Sequence, residues 1–289
     1  MKAGFVSIFG RPNAGKSTLL NMLMGEKLAI VSPKVQTTRH RIKGIITEKD
    51  YQVIFSDTPG IIEPKYKLHE KMMQAVKSAV IDADVALLLV DVNENLEEVH
   101  EIFASLGLKV PGLLVINKTD KADAAKIDAV TLFFSDKKYV TSIITISALH
   151  GLGAKELVEA IVEKLPEGQP FFEGDELSDL PTKFFVAEMI REKIFLLYKD
   201  EIPYHAAVNV NEFTQKTTLI KIVADIVVQR ETQKGILLGE GGKMIRQLGT
   251  DARIDIEKFL GAKVFLELFV KVRPKWRDSD LMLKEYGYH

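Results

Sequence analysis

The chain of 289 residues has room for two domains of ordinary size. Its 46% hydrophobic and 27% charged residues exclude disordered and collagen-like classes, and the absence of cysteine excludes a disulfide framework, a thiolate zinc site and a cysteine nucleophile. A net charge of −1 makes no overall case for nucleic acid or membrane, no apolar run approaches the roughly 18 residues of a membrane span, and the first ten residues read as a strand rather than a secretory signal.

In chain order, strands are expected at 5–9, 51–56, 85–90, 112–116 and 142–146. Several are continuous apolar runs, as in parallel strands covered on both faces. Between them, 17–28, 68–83, 96–106 and 154–165 carry helical spacing of apolar positions. The alternation predicts a doubly wound α/β domain over 1–165, its mostly parallel sheet flanked by helices, with ligands at the carboxyl ends of the strands. Prolines, glycines and acids over 166–181 read as a linker. Beyond it come a long helix at 182–198, strands at 206–210 and 219–228, two short helices, and a strand at 263–272. These predict a small α+β domain over 182–277, followed by a C-terminal tail at 278–289. Charge is uneven across this half: 169–201 sums to −4 and 233–277 to +5. A basic segment in a neutral chain has the pattern of a nucleic-acid footprint, although a mixed-charge surface fits charge alone equally well.

The chemistry begins at Gly10-Arg11-Pro12-Asn13-Ala14-Gly15-Lys16-Ser17, with Thr18 next, a G-x-x-x-x-G-K-[ST] run between a strand and a helix. Its glycines let backbone N–H groups and a helix N-terminus face phosphate oxygens. Lys16 is placed to reach the β- and γ-phosphates, and the Ser17 hydroxyl to ligate Mg²⁺. Asp57-Thr58-Pro59-Gly60 closes the 51–56 strand. There an acid holds Mg²⁺ through water, and the Gly60 N–H can meet the γ-phosphate. Asn117-Lys118-Thr119-Asp120 follows the 112–116 strand. The Asp120 carboxylate can accept both N1–H and N2–H of guanine, donors that adenine lacks in that arrangement. Lys118 would lie along the base, and Asn117 would tie its loop to the phosphate loop. Ser147-Ala148-Leu149 would offer a backbone N–H to guanine O6. In this order the motifs specify a GTPase that binds GTP and GDP with Mg²⁺.

The set GRPNAGKS, QTTRH, DTPG, NKTD and SAL resembles the translation-factor-related class of P-loop GTPases, and QTTRHRIKGI resembles the Era family within it. The resemblance implies that the threonine-rich segment is the first switch and that Thr38 completes the Mg²⁺ shell, with Thr37 as the alternative. Ile61 stands where many GTPases carry a water-orienting glutamine. In relatives with such a substitution, an asparagine at the position of Asn13 helps hold K⁺ beside the phosphates; the bland reading is that Asn13 only stabilises its loop. Lys16, Thr38, Gly60 and Asn13 are therefore the expected catalytic set, working at a slow intrinsic rate.

Gly239-Glu240-Gly241-Gly242, set between two helices, fits the G-x-x-G loop of a type II KH domain, whose groove holds about four nucleotides. Lys234, Lys243 and Arg246 are candidate phosphate contacts, whereas Glu240 puts an acid where such loops usually carry a base. The Era resemblance extends through Ile190-Arg191-Glu192-Lys193, Phe269-Val270-Lys271-Val272 and Trp276-Arg277. It implies a factor that binds small-subunit (16S) ribosomal RNA during ribosome assembly; a cytoplasmic location, which the absence of cysteine fits, and a monomer are the expectations beside it. An RNA-binding scaffold with a structural nucleotide, and a signalling GTPase in peripheral contact with the inner membrane, are the competing expectations.

Overall fold

In the computed structural model, which describes residues 1–174 and 176–288, the expected alternation folds around one central sheet. Asp175 of the expected linker and His289 of the expected tail lie outside the described residues. The chain packs into two units, Met1–Glu63 with Met72–Asp179, and Pro64–Lys71 with Leu180 onward.

The first unit runs β1 (Lys2–Phe9), α1 (Lys16–Met24), β2 (Ile42–Thr47), β3 (Tyr51–Asp57), α2 (Lys67–Asp82, its first turn grouped with the second unit), β4 (Val85–Asp91), α3 (Leu96–Ser105), β5 (Gly112–Asn117), α4 (Ala124–Phe134), β6 (Ser142–Thr145) and α5 (Ala154–Lys164). The strand order is β2-β3-β1-β4-β5-β6. All neighbours pair in parallel except β2, which runs antiparallel to β3. Every residue of β5 is buried, the mark of a strand covered on both faces. On one face Val76 and Ala79 of α2, Val99 and Phe103 of α3, and Val130 and Phe134 of α4 pack on Phe9, Leu88, Val90, Leu114 and Ile116. Sequence order reverses on either side of β1, so the crevice at a doubly wound sheet's switch point opens at the end of this strand.

Two elements here were not expected. Strand β2, with Gly44 at its centre, lacks a continuous apolar run, and α4 is apolar with little facing. The expected helix at 17–28 also stops early, at Met24, because Gly25 takes a left-handed conformation at its end.

The residues after α5 strap the edge of this sheet. The side chain of Gln52 is buried in β3; its Oε1 accepts from the backbone N–H groups of Phe171 and Phe172, and its Nε2 donates to the Phe172 carbonyl. Further along, Ile45 of β2 donates to the Leu177 carbonyl, Ser178 Oγ donates to the Lys43 carbonyl, and Lys43 pairs with Asp179 at 2.6 Å.

The second unit carries α6 (Thr182–Leu197), α7 (Ile202–His205), β7 (Ala207–Gln215), β8 (Ile220–Val228), α8 (Glu231–Leu238), α9 (Lys243–Leu260), β9 (Val264–Val272) and α10 (Asp280–Glu285). The sheet order is β7-β8-β9, antiparallel and then parallel. Alternate residues Ile222, Ala224 and Ile226 of β8 meet Val186, Ile190 and Ile194 of α6, Leu237 of α8, and Leu248, Ala252 and Ile256 of α9. Of the two helices expected to be short, α9 has 18 residues, its apolar positions continuing through Gly249 and Thr250. Trp276 is fully buried, donates through Nε1 to the His205 carbonyl, and packs with the rings of Tyr286 and Tyr288. It closes a small core under the tail rather than offering a face to a base.

Candidate functional site

The carboxyl ends of β1, β3 and β5, and the segment after β6, bring the expected residues of the first unit together. At the turn from β1 into α1, Gly15 has φ +102°, and a Cβ there would lie 2.3 Å from Asn117 Nδ2, so both conformation and space demand glycine. Ala14 is buried and Asn13 exposed at the tip, with Thr18 one residue along α1. Lys16 folds back over its own loop, its Nζ donating to the carbonyls of Gly10 (3.0 Å) and Arg11 (2.8 Å). Burial lowers its pKa to about 8, against the pull of Asp57 and Glu94. The Arg11 guanidinium points away, to Glu98 at 2.6 Å.

Three oxygen-bearing side chains meet beside Lys16. Ser17 Oγ donates to Asp57 Oδ2 at 2.6 Å and lies 2.7 Å from Thr38 Oγ1, which is 3.3 Å from the same carboxylate oxygen. The other oxygen, Asp57 Oδ1, is buried with no hydrogen-bond partner among the described residues. Burial raises the Asp57 pKa to about 6, although Lys16, Ser17, Thr38 and the Thr58 backbone all oppose the shift. Two hydroxyls and a carboxylate with an unused lone pair form a hard-oxygen donor set that fits Mg²⁺, with phosphate and water oxygens completing the shell. Of the two threonines, Thr38 lies beside Ser17 and Asp57, whereas Thr37 Oγ1 donates to the Lys34 carbonyl at 2.7 Å.

Gly60 approaches the phosphate loop closely; a Cβ on it would lie 2.8 Å from Pro12. Ile61 donates its backbone N–H to the Gly10 carbonyl at 3.4 Å, and its side chain packs on the apolar cluster of α2–α4. Asn13 Nδ2 donates to the Pro33 carbonyl at 3.0 Å.

At the other end of the crevice, Asn117 bridges two loops. Its Nδ2 donates to the Ala14 carbonyl at 2.9 Å and its Oδ1 accepts from the Ala148 N–H at 3.0 Å. A base carbonyl here would share the Ala148 N–H or take that of Leu149, whose side chain is exposed. Lys118, left-handed at φ 62°, donates to the Asn13 carbonyl at 2.7 Å and pairs with Asp91 at 2.6 Å. Ser147 Oγ donates to Asp120 Oδ1 at 2.5 Å, the largest cause of that carboxyl's lowered pKa, and His150 Nε2 lies 3.7 Å from Oδ2. Sequence reasoning did not single out Asp91, Glu94 or His150. An acid three places after an apolar strand was the available signal for Glu94, which lies 4.0 Å from Arg11.

In the second unit, Gly239, Glu240, Gly241 and Gly242 form the turn between α8 and α9, with left-handed φ at Gly241 (57°) and Gly242 (73°). Glu240, Lys243 and Arg246 are exposed and Lys234 is half-buried. Arg246 Nη2 donates to the Gly241 carbonyl at 2.7 Å, which braces the turn.

Comparison with known proteins covers both units. A family described as 50S ribosome-binding GTPase matches residues 5–118, and one described as KH domain matches 201–277. GTPase Era of Geobacter metallireducens is 44% identical over 99% of this chain and 98% of its own length, and GTPase Era of Ruminiclostridium cellulolyticum is 43% identical over 99% and 97%. Two solved structures superpose on the whole chain. A variant of Aquifex aeolicus Era bound to GDP·AlF4⁻ has a TM-score of 0.96 at 39% identity, covering 100% of this chain and 99% of that one. Era in complex with MgGDPNP and nucleotides 1506–1542 of 16S ribosomal RNA has a TM-score of 0.94 at 40% identity, with the same coverage.

Proposed function

The chain belongs to the Era family of GTPases, a P-loop GTPase domain followed by a KH domain, and on that premise we propose that it hydrolyses Mg²⁺-bound GTP at the β1–α1 crevice and binds small-subunit ribosomal RNA through the Gly239–Gly242 turn during ribosome assembly. The convergence of Ser17, Thr38 and Asp57 beside Lys16 carries the nucleotide half of this reading. Mg²⁺ would be held by Ser17 and Thr38, with Asp57 acting through water, and would offset negative charge on the phosphates. Lys16 leaves its loop carbonyls for phosphate oxygens, and the Gly60 N–H faces the γ-phosphate. Ser147 holds Asp120 for the guanine N–H groups, while Asn117 ties the base-reading loops to the phosphate loop. Among the described residues no side chain stands as general base; Ile61 is engaged in the core, which fits a slow intrinsic rate. A single-turnover assay with GTP and Mg²⁺, with and without an RNA carrying the 16S 3′ end, tests the reading; absent hydrolysis with retained RNA binding would favour a scaffold with a structural nucleotide. No helix among the described residues is long and apolar enough to cross a membrane.

Asn13 is proposed to support hydrolysis by helping to hold K⁺. Its amide oxygen becomes available if the side chain exchanges Pro33 for a cation beside the phosphates. Hydrolysis is then expected to run faster in K⁺ than in Na⁺ at equal ionic strength. Equal rates would leave Asn13 as a brace between its loop and Pro33.

For the RNA half, the expected result is a split between ligands. Gly241 has open space around its missing Cβ, so Gly241→Asp with Glu240→Asp costs about 1 kcal/mol of left-handed strain without a clash. Added charge and bulk should weaken RNA binding by about 1–3 kcal/mol and leave GTP affinity unchanged. Glu240→Lys should strengthen RNA binding and steepen its salt dependence, because one more phosphate is neutralised. Filter binding across a salt series reads both; unaltered RNA affinity in the double variant would reduce the turn to a helix cap.

A further inference from the structure

Arg41 lies three residues beyond Thr38, where the first-switch segment enters β2, and its guanidinium joins elements the nucleotide residues do not. Nε donates to Ser56 Oγ at 3.1 Å, and Ser56 directly precedes Asp57. Nη1 donates to Ser78 Oγ at 3.4 Å and to Asp82, both on α2, the helix that follows the Asp57–Gly60 turn. Asp82 is half-exposed, whereas the Arg41 side chain is only 13% exposed. The remaining arm, Nη2, is buried with no partner among the described residues. An idle buried donor costs about 1–3 kcal/mol, and a clamp serving stability alone would gain by satisfying it. A fork gripping two elements while one arm stays unused suits a contact that re-forms when the switch moves.

We propose that Arg41 is a positioning residue for hydrolysis, tying the segment that carries Thr38 to the strand that carries Asp57 and to α2, so that these groups move together when the γ-phosphate is present. This rests on the GTPase reading above. Arg41 touches no nucleotide atom in that reading; it acts through Ser56, Ser78 and Asp82. GDP should be indifferent to the tie, because GDP lacks the γ-phosphate that both switches would contact.

The test is a comparison of Arg41→Lys, Asp82→Ala and the double variant in the full-length chain. Lysine keeps the charge but cannot reach Ser56 and Asp82 at once. Single-turnover hydrolysis should fall about 10-fold in Arg41→Lys and about 3-fold in Asp82→Ala, within the range of coupling energies carried through such links. The double variant should be no slower than Arg41→Lys, because both changes cut one tie. The Kd for GDP and the KM for GTP should stay within about twofold, the pattern of an interaction expressed in the reaction rather than in binding. Unchanged rates in Arg41→Lys, additive losses, or a parallel loss of GDP affinity and thermal stability would each overturn the proposal. If Arg41→Lys does not fold, Asp82→Ala decides alone, and a parental rate there overturns it. Hydrolysis by the parent chain is the separate control, since its absence would defeat the GTPase reading rather than the role of Arg41.

Discussion

Asp120→Asn is expected to convert a guanine site into a xanthine site. Asp120 is held as an acceptor pair, its Oδ1 fixed by the Ser147 hydroxyl and its Oδ2 open toward His150 and solvent. Guanine offers two N–H donors to that pair. An asparagine amide turns one acceptor into a donor, which meets the N2–H₂ of guanine head-on but complements the 2-oxo group of xanthine. Losing one charge-assisted hydrogen bond, at about 1.5–3 kcal/mol, facing two donors against each other and removing the charge from the other bond should together lower GTP affinity on the order of 100-fold or more. Xanthosine triphosphate should gain correspondingly. Competitive titration of both nucleotides gives the answer, and a variant that still prefers GTP would remove Asp120 from the base site.

Asp57→Asn should separate stability from activity. Burial raises the Asp57 pKa to about 6, against an ordinary value of 3.8. The folded state therefore binds more protons than the unfolded state between those values, and this carboxyl's contribution falls as pH rises through that window. Above pH 6 its buried charge opposes folding. Asparagine keeps the shape without the charge. The nucleotide-free variant should be more stable than the parent at pH 7.5, and the difference should vanish below about pH 4. Its Mg²⁺-dependent hydrolysis should fall about 100-fold or more, because the carboxylate that orients the cation is gone. Urea unfolding at both pH values and a hydrolysis assay test the pair; lower stability at pH 7.5 would mean that Ser17 and Thr38 stabilise the carboxylate more than burial opposes it. Burial displaces Lys16 in the opposite sense, to about 8, so burial works against both charges.

How legible the site was depended on whether a residue's role is local. Gly15, Lys16, Asp57 and Asp120 sit at fixed offsets from apolar strands, so short motifs locate them. Strand β2 was hidden because its stability comes from pairing with β3 rather than from its own composition, and Gly44 within it is crowded by Leu20 and Met24 of α1. Thr37 and Thr38 are chemically alike, and only their contacts with Lys34 and with Ser17 separate them. Arg41, Asp91 and Gln52 act through partners distant in sequence, and no single sequence displays such pairs. The length of α9 was masked by Gly249 and Thr250, which on local propensity interrupt a helix that packing against β8 sustains.

The strap along β2 also has a meaning in time. Gln52 and its partner Phe172 are separated by 120 residues, which a ribosome adding about 5–20 residues per second needs about 6–24 s to supply. A β2–β3 pair formed before residues 171–179 are made would present an uncovered edge, and the Gln52 amide would lack the backbone groups that satisfy it. Lys43 stands on that edge. A charge at such a position discourages pairing with a second nascent chain. When Asp179 finally emerges, the same lysine becomes its ion-pair partner and the edge is closed. One side chain would thus keep the strand from pairing wrongly before its cover exists, and it fastens that cover in the finished fold.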